Sequence, residues 1–100
     1  MNQFLYLLTP ARLEMLMEGS TERETAIVAE HFAHLERLTE QGVALLMGRT
    51  QNNDERTFGI VIFQAETEAA ARELMNSDPA VIHGVMRAEL FPFRIGLCSL

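Results

Sequence analysis

The sequence predicts an α+β fold, a ferredoxin-like βαββαβ unit with two helices on one face of an antiparallel sheet. Two observations carry this expectation. Four runs rich in β-formers alternate with helix-patterned segments in the order strand, helix, strand, strand, helix, strand. The two middle runs are joined by a polar tip that suits a hairpin, whereas each outer run is set off from them by a helix.

The first strand is QFLYLL, Gln3 to Leu8, short, rich in β-formers and closed by Thr9-Pro10. Its continuous apolar character predicts burial on both faces. ARLEMLMEG follows, with Leu13, Leu16 and Met17 at helical spacing and Gly19 as a stop, enough for one short helix or an ordered loop lying over something apolar. Thr21 and Glu24 form T-x-x-E, in which hydroxyl and carboxylate satisfy each other's orphan backbone N–H groups at a helix start. The long helix that begins there ends at Gly42, a residue suited to the left-handed stop.

VALLMG (43–48) and TFGIVIF (57–63) read as a hairpin around RTQNNDER, whose Asn and Asp residues favour a turn. A turn centred on Asn53-Asp54 sets Gly48 opposite Gly59 and leaves the sheet locally bare of side chains, which makes room for a ligand. Thr67 caps a second helix, EAAARELMNS, that ends before Asp78-Pro79, and PAVIHG makes a short turn. The last strand, within VMRAELFPFRIGL, changes phase near Pro92, which predicts a bulge or an edge segment there. One face of this sheet has no helix to cover it, yet QFLYLL and GIVIF are apolar at successive positions. A homodimer packed sheet against sheet is the expected cover.

One hundred residues build one core, so a single domain over 1–100 is expected. With 8 Lys and Arg against 14 Asp and Glu the net charge is -6, and a polyanion such as nucleic acid meets repulsion. The N-terminal MNQFLYLLTP has no basic n-region and an apolar run too short for a signal peptide or a membrane span. Its lone Cys98 cannot form an internal disulfide, in keeping with a reducing compartment. Together these predict a cytoplasmic protein with neither membrane nor nucleic-acid partners.

The chemistry concentrates in AEHFAHLERLTEQG, Ala29 to Gly42. On a helical wheel Ile27, Val28, Phe32, Leu35 and Leu38 form an apolar stripe that includes His31, while His34 lies at its border with the charged face. A histidine in such a stripe needs a partner: either a backbone carbonyl, as an ordinary core residue, or a group that sets it up for catalysis or binding. H-x-x-H resembles a metal pair, but no third ligand is marked and His34 turns away from His31, so no metal is expected.

HFAHLERLTEQGVALLMG, FGIVIFQAETEAAARELMNSDPAV and GVMRAELFPFRI together resemble the YciI-like (YCII-related) family, in order and with compatible spacing. The resemblance implies a dimeric α+β barrel related to muconolactone isomerases, whose proposed active site pairs a histidine with an aspartate. By distance to Gly42 the matching histidine is His31, and the matching aspartate is Asp78 of Asp-Pro. Asp78 also suits an ordinary N-cap with proline at the first helical position, and one carboxylate can serve both ends. A carboxylate that meets His31 orients the ring and fixes its tautomer for general acid or base work. Arg12 and Tyr6 are candidates for substrate binding, against the plainer readings of a solvated arginine and a packed tyrosine.

The leading expectation is therefore a cofactor-free enzyme that transfers a proton on a small organic acid, as an isomerase, lyase or dehydrohalogenase. Its rival is a non-catalytic small-molecule-binding or protein-association module, since this fold hosts many unrelated functions. A monooxygenase without cofactor is a third reading. The partner of His31 discriminates between the first two: a carboxylate favours the enzyme, a backbone carbonyl the module.

Overall fold

The computed structural model describes residues 1–99 and follows the expected order: β1 (Asn2–Pro10), α1 (Glu14–Met17), α2 (Glu22–Glu40), β2 (Ala44–Arg49), β3 (Gly59–Ala65), α3 (Glu68–Met75), α4 (Pro79–Ile82) and β4 (Met86–Phe93). The strands pair in the order β2-β3-β1-β4 and every neighbouring pair is antiparallel. This is the ferredoxin-like α+β arrangement, with β1 and β3 in the centre and β2 and β4 at the edges.

The helix starts obey local chemistry. Thr21 Oγ1 accepts from the Glu24 N–H at 3.1 Å while Glu24 Oε1 accepts from the Thr21 N–H at 2.9 Å, so the capping box is complete. At the other end of α2, Gly42 takes φ +75°, where a side chain would be strained. Thr67 caps α3 by accepting from the Ala70 N–H at 3.0 Å.

Alternation along β1 sorts the sheet into two faces. Phe4, Tyr6 and Leu8 point to the helices, opposite Phe63, Val61 and Gly59 of β3, and with Leu35, Ala71 and Met75 they form the main core. Leu5 and Leu7 point the other way, opposite Ile62 and Ile60, and are half-buried. Burial of β1 on both faces is thus not found within one chain, because no helix crosses the second face.

Three further expectations shift. Of the two readings at Pro92 the edge segment holds, since β4 is an edge strand, while the bulge lies in β2, between Ala44 and Leu46, and Pro92 pairs in register with Phe4. An edge strand sends only alternate N–H groups into a ladder, so it tolerates a proline without a break. Gly48 faces Ile60 and Gly59 faces Arg49, one step away from the glycine pair expected. In the short helix Met15 is the buried residue and Met17 is 61% exposed, the reverse of the spacing argument, because a single turn presents only one residue inward. Met15 packs with Ile27 and Val85 as a satellite cluster. No helix among the described residues is long and apolar enough to cross a membrane.

Candidate functional site

Helix α2 lays Glu24, Ile27, His31 and Leu35 along its buried line, a 3-4-4 spacing that puts His31 against the sheet. The segment after α3 turns at Asp78, whose extended backbone (φ -66°, ψ 124°) starts α4 with Pro79 at the first helical position. These two elements bring together residues 47 apart in sequence: His31 Nδ1 lies 2.7 Å from Asp78 Oδ1. The same Oδ1 accepts from the Ala80 N–H at 2.9 Å, and Oδ2 accepts from the Tyr6 hydroxyl at 2.7 Å. The aspartate is therefore an N-cap and a histidine partner at once, and a single oxygen serves both roles.

This donor set fixes proton positions. Burial alone would raise the Asp78 carboxyl, but the hydrogen bonds from His31 and Tyr6, with the Ala80 N–H, outweigh it and hold the group below its ordinary value. An ionised carboxylate only accepts, so Nδ1 is the donor in the short contact with His31. In the neutral ring Nε2 then carries the lone pair, and no protein group among the described residues engages it. Tyr6 is kept protonated by burial, by the Asp78 charge and by its hydrogen bond, all of which push its hydroxyl up. It stays a donor to Asp78 and does not reach the cavity.

His31 is 5% exposed, and what it meets is a cavity of about 360 Å³ between α1, α2 and the β2–β3 end of the sheet. Leu16, Val28, Met47 and Ile60 are among its walls, and Phe32 and Phe58, 56% and 40% exposed, line it as well. Phe32 belongs to the apolar stripe of α2 but turns to this opening and not to the core. Gly48 and Gly59 line it too, so the space expected from the glycines exists although they are out of register.

The other sequence candidates fall elsewhere. Arg12 grips Glu24 through two hydrogen bonds, Nε to Oε2 at 2.9 Å and Nη2 to Oε1 at 2.8 Å, and it does not line the cavity. That pairing, with the Thr21 N–H, pulls the Glu24 carboxyl down to about 2. Arg12 thus ties the segment ahead of α2 to the capping box, using the carboxylate that the box left half free. His34 sits at the border expected, with its Nε2 buried and lacking a partner among the described residues. His83 is exposed, and its carbonyl accepts from Arg23 at 3.0 Å. Among the described residues no three His, Cys, Asp or Glu side chains converge as metal ligands.

The cation that does line the cavity is Arg49, at the end of β2. Sequence reasoning passed over it because the tip RTQNNDER reads as solvated turn. Its signal was position, one residue after Gly48 and opposite Gly59.

Comparison with curated proteins finds no match. Among solved structures, 5-chloro-2-hydroxyhydroquinone dehydrochlorinase (TftG) from Burkholderia phenoliruptrix AC1100, in complex with 2,5-dihydroxybenzoquinone, is similar in fold. The TM-score is 0.65 at 18% sequence identity, over 93% of this chain and 95% of that one. The family model of the YCII-related domain matches residues 8–94, and the chain belongs to that family.

Proposed function

We propose that this protein is a cofactor-free enzyme that transfers a proton on a small organic acid, with His31 as general base and acid and Asp78 as the carboxylate that orients it. The observation that carries this reading is the 2.7 Å contact between His31 Nδ1 and Asp78 Oδ1 at the wall of an apolar cavity. A carboxylate partner leaves Nε2 basic and aimed by a fixed ring, whereas a core histidine needs only a backbone carbonyl.

In such a reaction Nε2 takes a proton from a carbon next to a carbonyl, and the electron pair of the C–H bond moves into the enolate. Return of the proton at a different carbon is an isomerisation. When that pair instead forms a C=C bond and a β substituent leaves with its own bonding pair, the reaction is that of a lyase or dehydrohalogenase, and TftG, of similar fold, is a dehydrochlorinase. The 5% exposed imidazole stands among apolar walls, which limits the solvent that competes with it for the proton. The same reading includes a cytoplasmic homodimer closed over the uncovered sheet face.

The test is proton exchange in D₂O. A panel of small organic acids that includes muconolactone is followed by NMR for deuterium uptake, and 5-chloro-2-hydroxyhydroquinone is followed for chloride release. Wild-type turnover that falls by about 10²–10⁴-fold in both His31→Asn and Asp78→Asn supports the dyad. Binding without turnover in the wild type favours the non-catalytic module, and equal turnover in all three proteins rejects the dyad.

A further inference from the structure

We infer that Arg49 is the anion anchor of the cavity, and that its ligands are therefore small apolar molecules bearing one acidic group. This rests on the reading of the cavity as the substrate site and adds a residue and a chemical class to it.

The cavity is electrostatically one-sided. Among its lining residues Arg49 is the one permanently charged group, His31 the one other titratable group, and no Asp, Glu or Lys is present. The chain as a whole carries 14 acidic residues and a net charge of -6, so a cavity free of carboxylates stands apart from the surface around it. Arg49 is itself exposed, so it lines the cavity on the side open to solvent, where low-polarity walls focus its field.

The sheet makes the room. In the row Arg49, Gly59, Leu8 the three residues are neighbours across β2, β3 and β1, on the face that carries the core. A Cβ on Gly59 would stand 3.7 Å from Arg49 Cβ, 3.9 Å from Leu8 Cβ and 3.2 Å from the Gly48 carbonyl oxygen. Glycine there keeps the space between the arginine and the leucine open.

The guanidinium is held but not spent. Its Nε–H donates to the Thr50 carbonyl at 2.9 Å and Nη2 donates to Asn53 Oδ1 at 2.7 Å. Neither acceptor is charged, and among the described residues Arg49 forms no ion pair within 4.0 Å, in contrast to Arg12 on Glu24 and Arg56 on Asp54. A guanidinium has five N–H donors, so three remain for a ligand. The hairpin tip is itself braced: Asp54 Oδ1 accepts from Asn52 Nδ2 at 2.7 Å and from the Arg56 N–H at 2.8 Å, and the Thr57 hydroxyl donates to the Asn52 carbonyl. Asn53 lies between two of these braced residues, Asn52 and Asp54, and acts as a positioning residue for Arg49.

Two fluorescent dyes that differ by one charge test this. 8-Anilinonaphthalene-1-sulfonate carries a sulfonate, and N-phenyl-1-naphthylamine is the same framework without it. Wild-type protein is expected to prefer the sulfonate, and Arg49→Gln to lose that preference by about tenfold with binding of the neutral dye unchanged, the scale of one charge-assisted contact. Arg49→Lys should keep part of it, and Arg12→Gln all of it. Val28→Trp, which fills the cavity from α2, should weaken both dyes. The preference should survive in His31→Asn, so a failed dyad and a failed anchor give different results. An unchanged dye preference in Arg49→Gln, or sulfonate binding that survives Val28→Trp, would overturn the assignment.

Discussion

Asp78 receives three hydrogen bonds on two oxygens while fully buried, and its charge is tolerable only because of them. Tyr6→Phe tests this at the least perturbing point, since it removes one hydroxyl and leaves Oδ2 with no partner. The expected cost is about 1–3 kcal/mol in urea unfolding. Because the Asp78 carboxyl is held below its ordinary 3.8, the stability it contributes is present above that value and is lost as pH falls through the folded-state value. The Tyr6→Phe penalty should therefore be full at neutral pH and shrink below about pH 4; a penalty that stays constant into acid would deny the contact its charge. At this scale the sequence was legible where pattern forces a residue inward. His31 in an apolar stripe is such a case, whereas Asp78 was reached through a family resemblance and is indistinguishable by pattern from an ordinary cap. Tyr6 was weighed as a ligand-facing residue against a packed one, and strand alternation alone does not tell cavity from core on one and the same face. Arg12, weighed as a substrate-binding candidate against a solvated arginine, is bonded to Glu24, because that residue has two carboxylate oxygens and the capping box needs only one of them.

Helix α2 shows how one element serves three surroundings. Its buried line carries His31, its flank through Val28 and Phe32 lines the cavity, and its border carries His34. Burial lowers the His34 pKa; the Asp78 charge opposes that shift, and Arg37 and His31 add to it. A group depressed in the folded state contributes stability that is present above its ordinary 6.5 and is lost as pH falls through that value toward the folded one. His34→Gln should accordingly flatten the decline in stability that begins as pH falls below 6.5, read by denaturant midpoints at successive pH values. A decline as steep as that of the wild type would show that His34 does not titrate there. Elements were read well from sequence wherever a local device marked them, as Thr21 with Glu24, Thr67 and Gly42 did. They were read poorly where the outcome depended on a neighbour across the sheet: the bulge at Leu45 and the offset of Gly48 from Gly59 are matters of register, which no single run encodes.

At the scale of the molecule the two sheet faces are unequal. One is covered by α2 and α3; the other carries half-buried Leu5, Leu7 and Ile60 and the 9% exposed Ile62 at its centre, with Phe91 paired to Leu5 and 40% exposed. Polar residues Gln3, Gln64 and Glu89 stand at its margin, in register with this centre. Contiguous apolar side chains on a sheet face that no helix crosses are the kind of surface a second chain covers. A second copy placed on the same face is self-complementary, since a twofold axis through the sheet sets leucine and isoleucine of one protomer on those of the other. We expect sedimentation equilibrium to give twice the chain mass of 11.3 kDa at micromolar concentration. Leu5→Glu puts a charge at the middle of the patch, beside Ile62 and Phe91, and should yield an 11.3 kDa species with unchanged helical circular dichroism. His31, Asp78 and Arg49 all lie on or beyond the helix side of the sheet, so this variant should keep the dye preference for the sulfonate. A wild type that sediments as a monomer would leave this face exposed and remove the reason for the apolar residues on it.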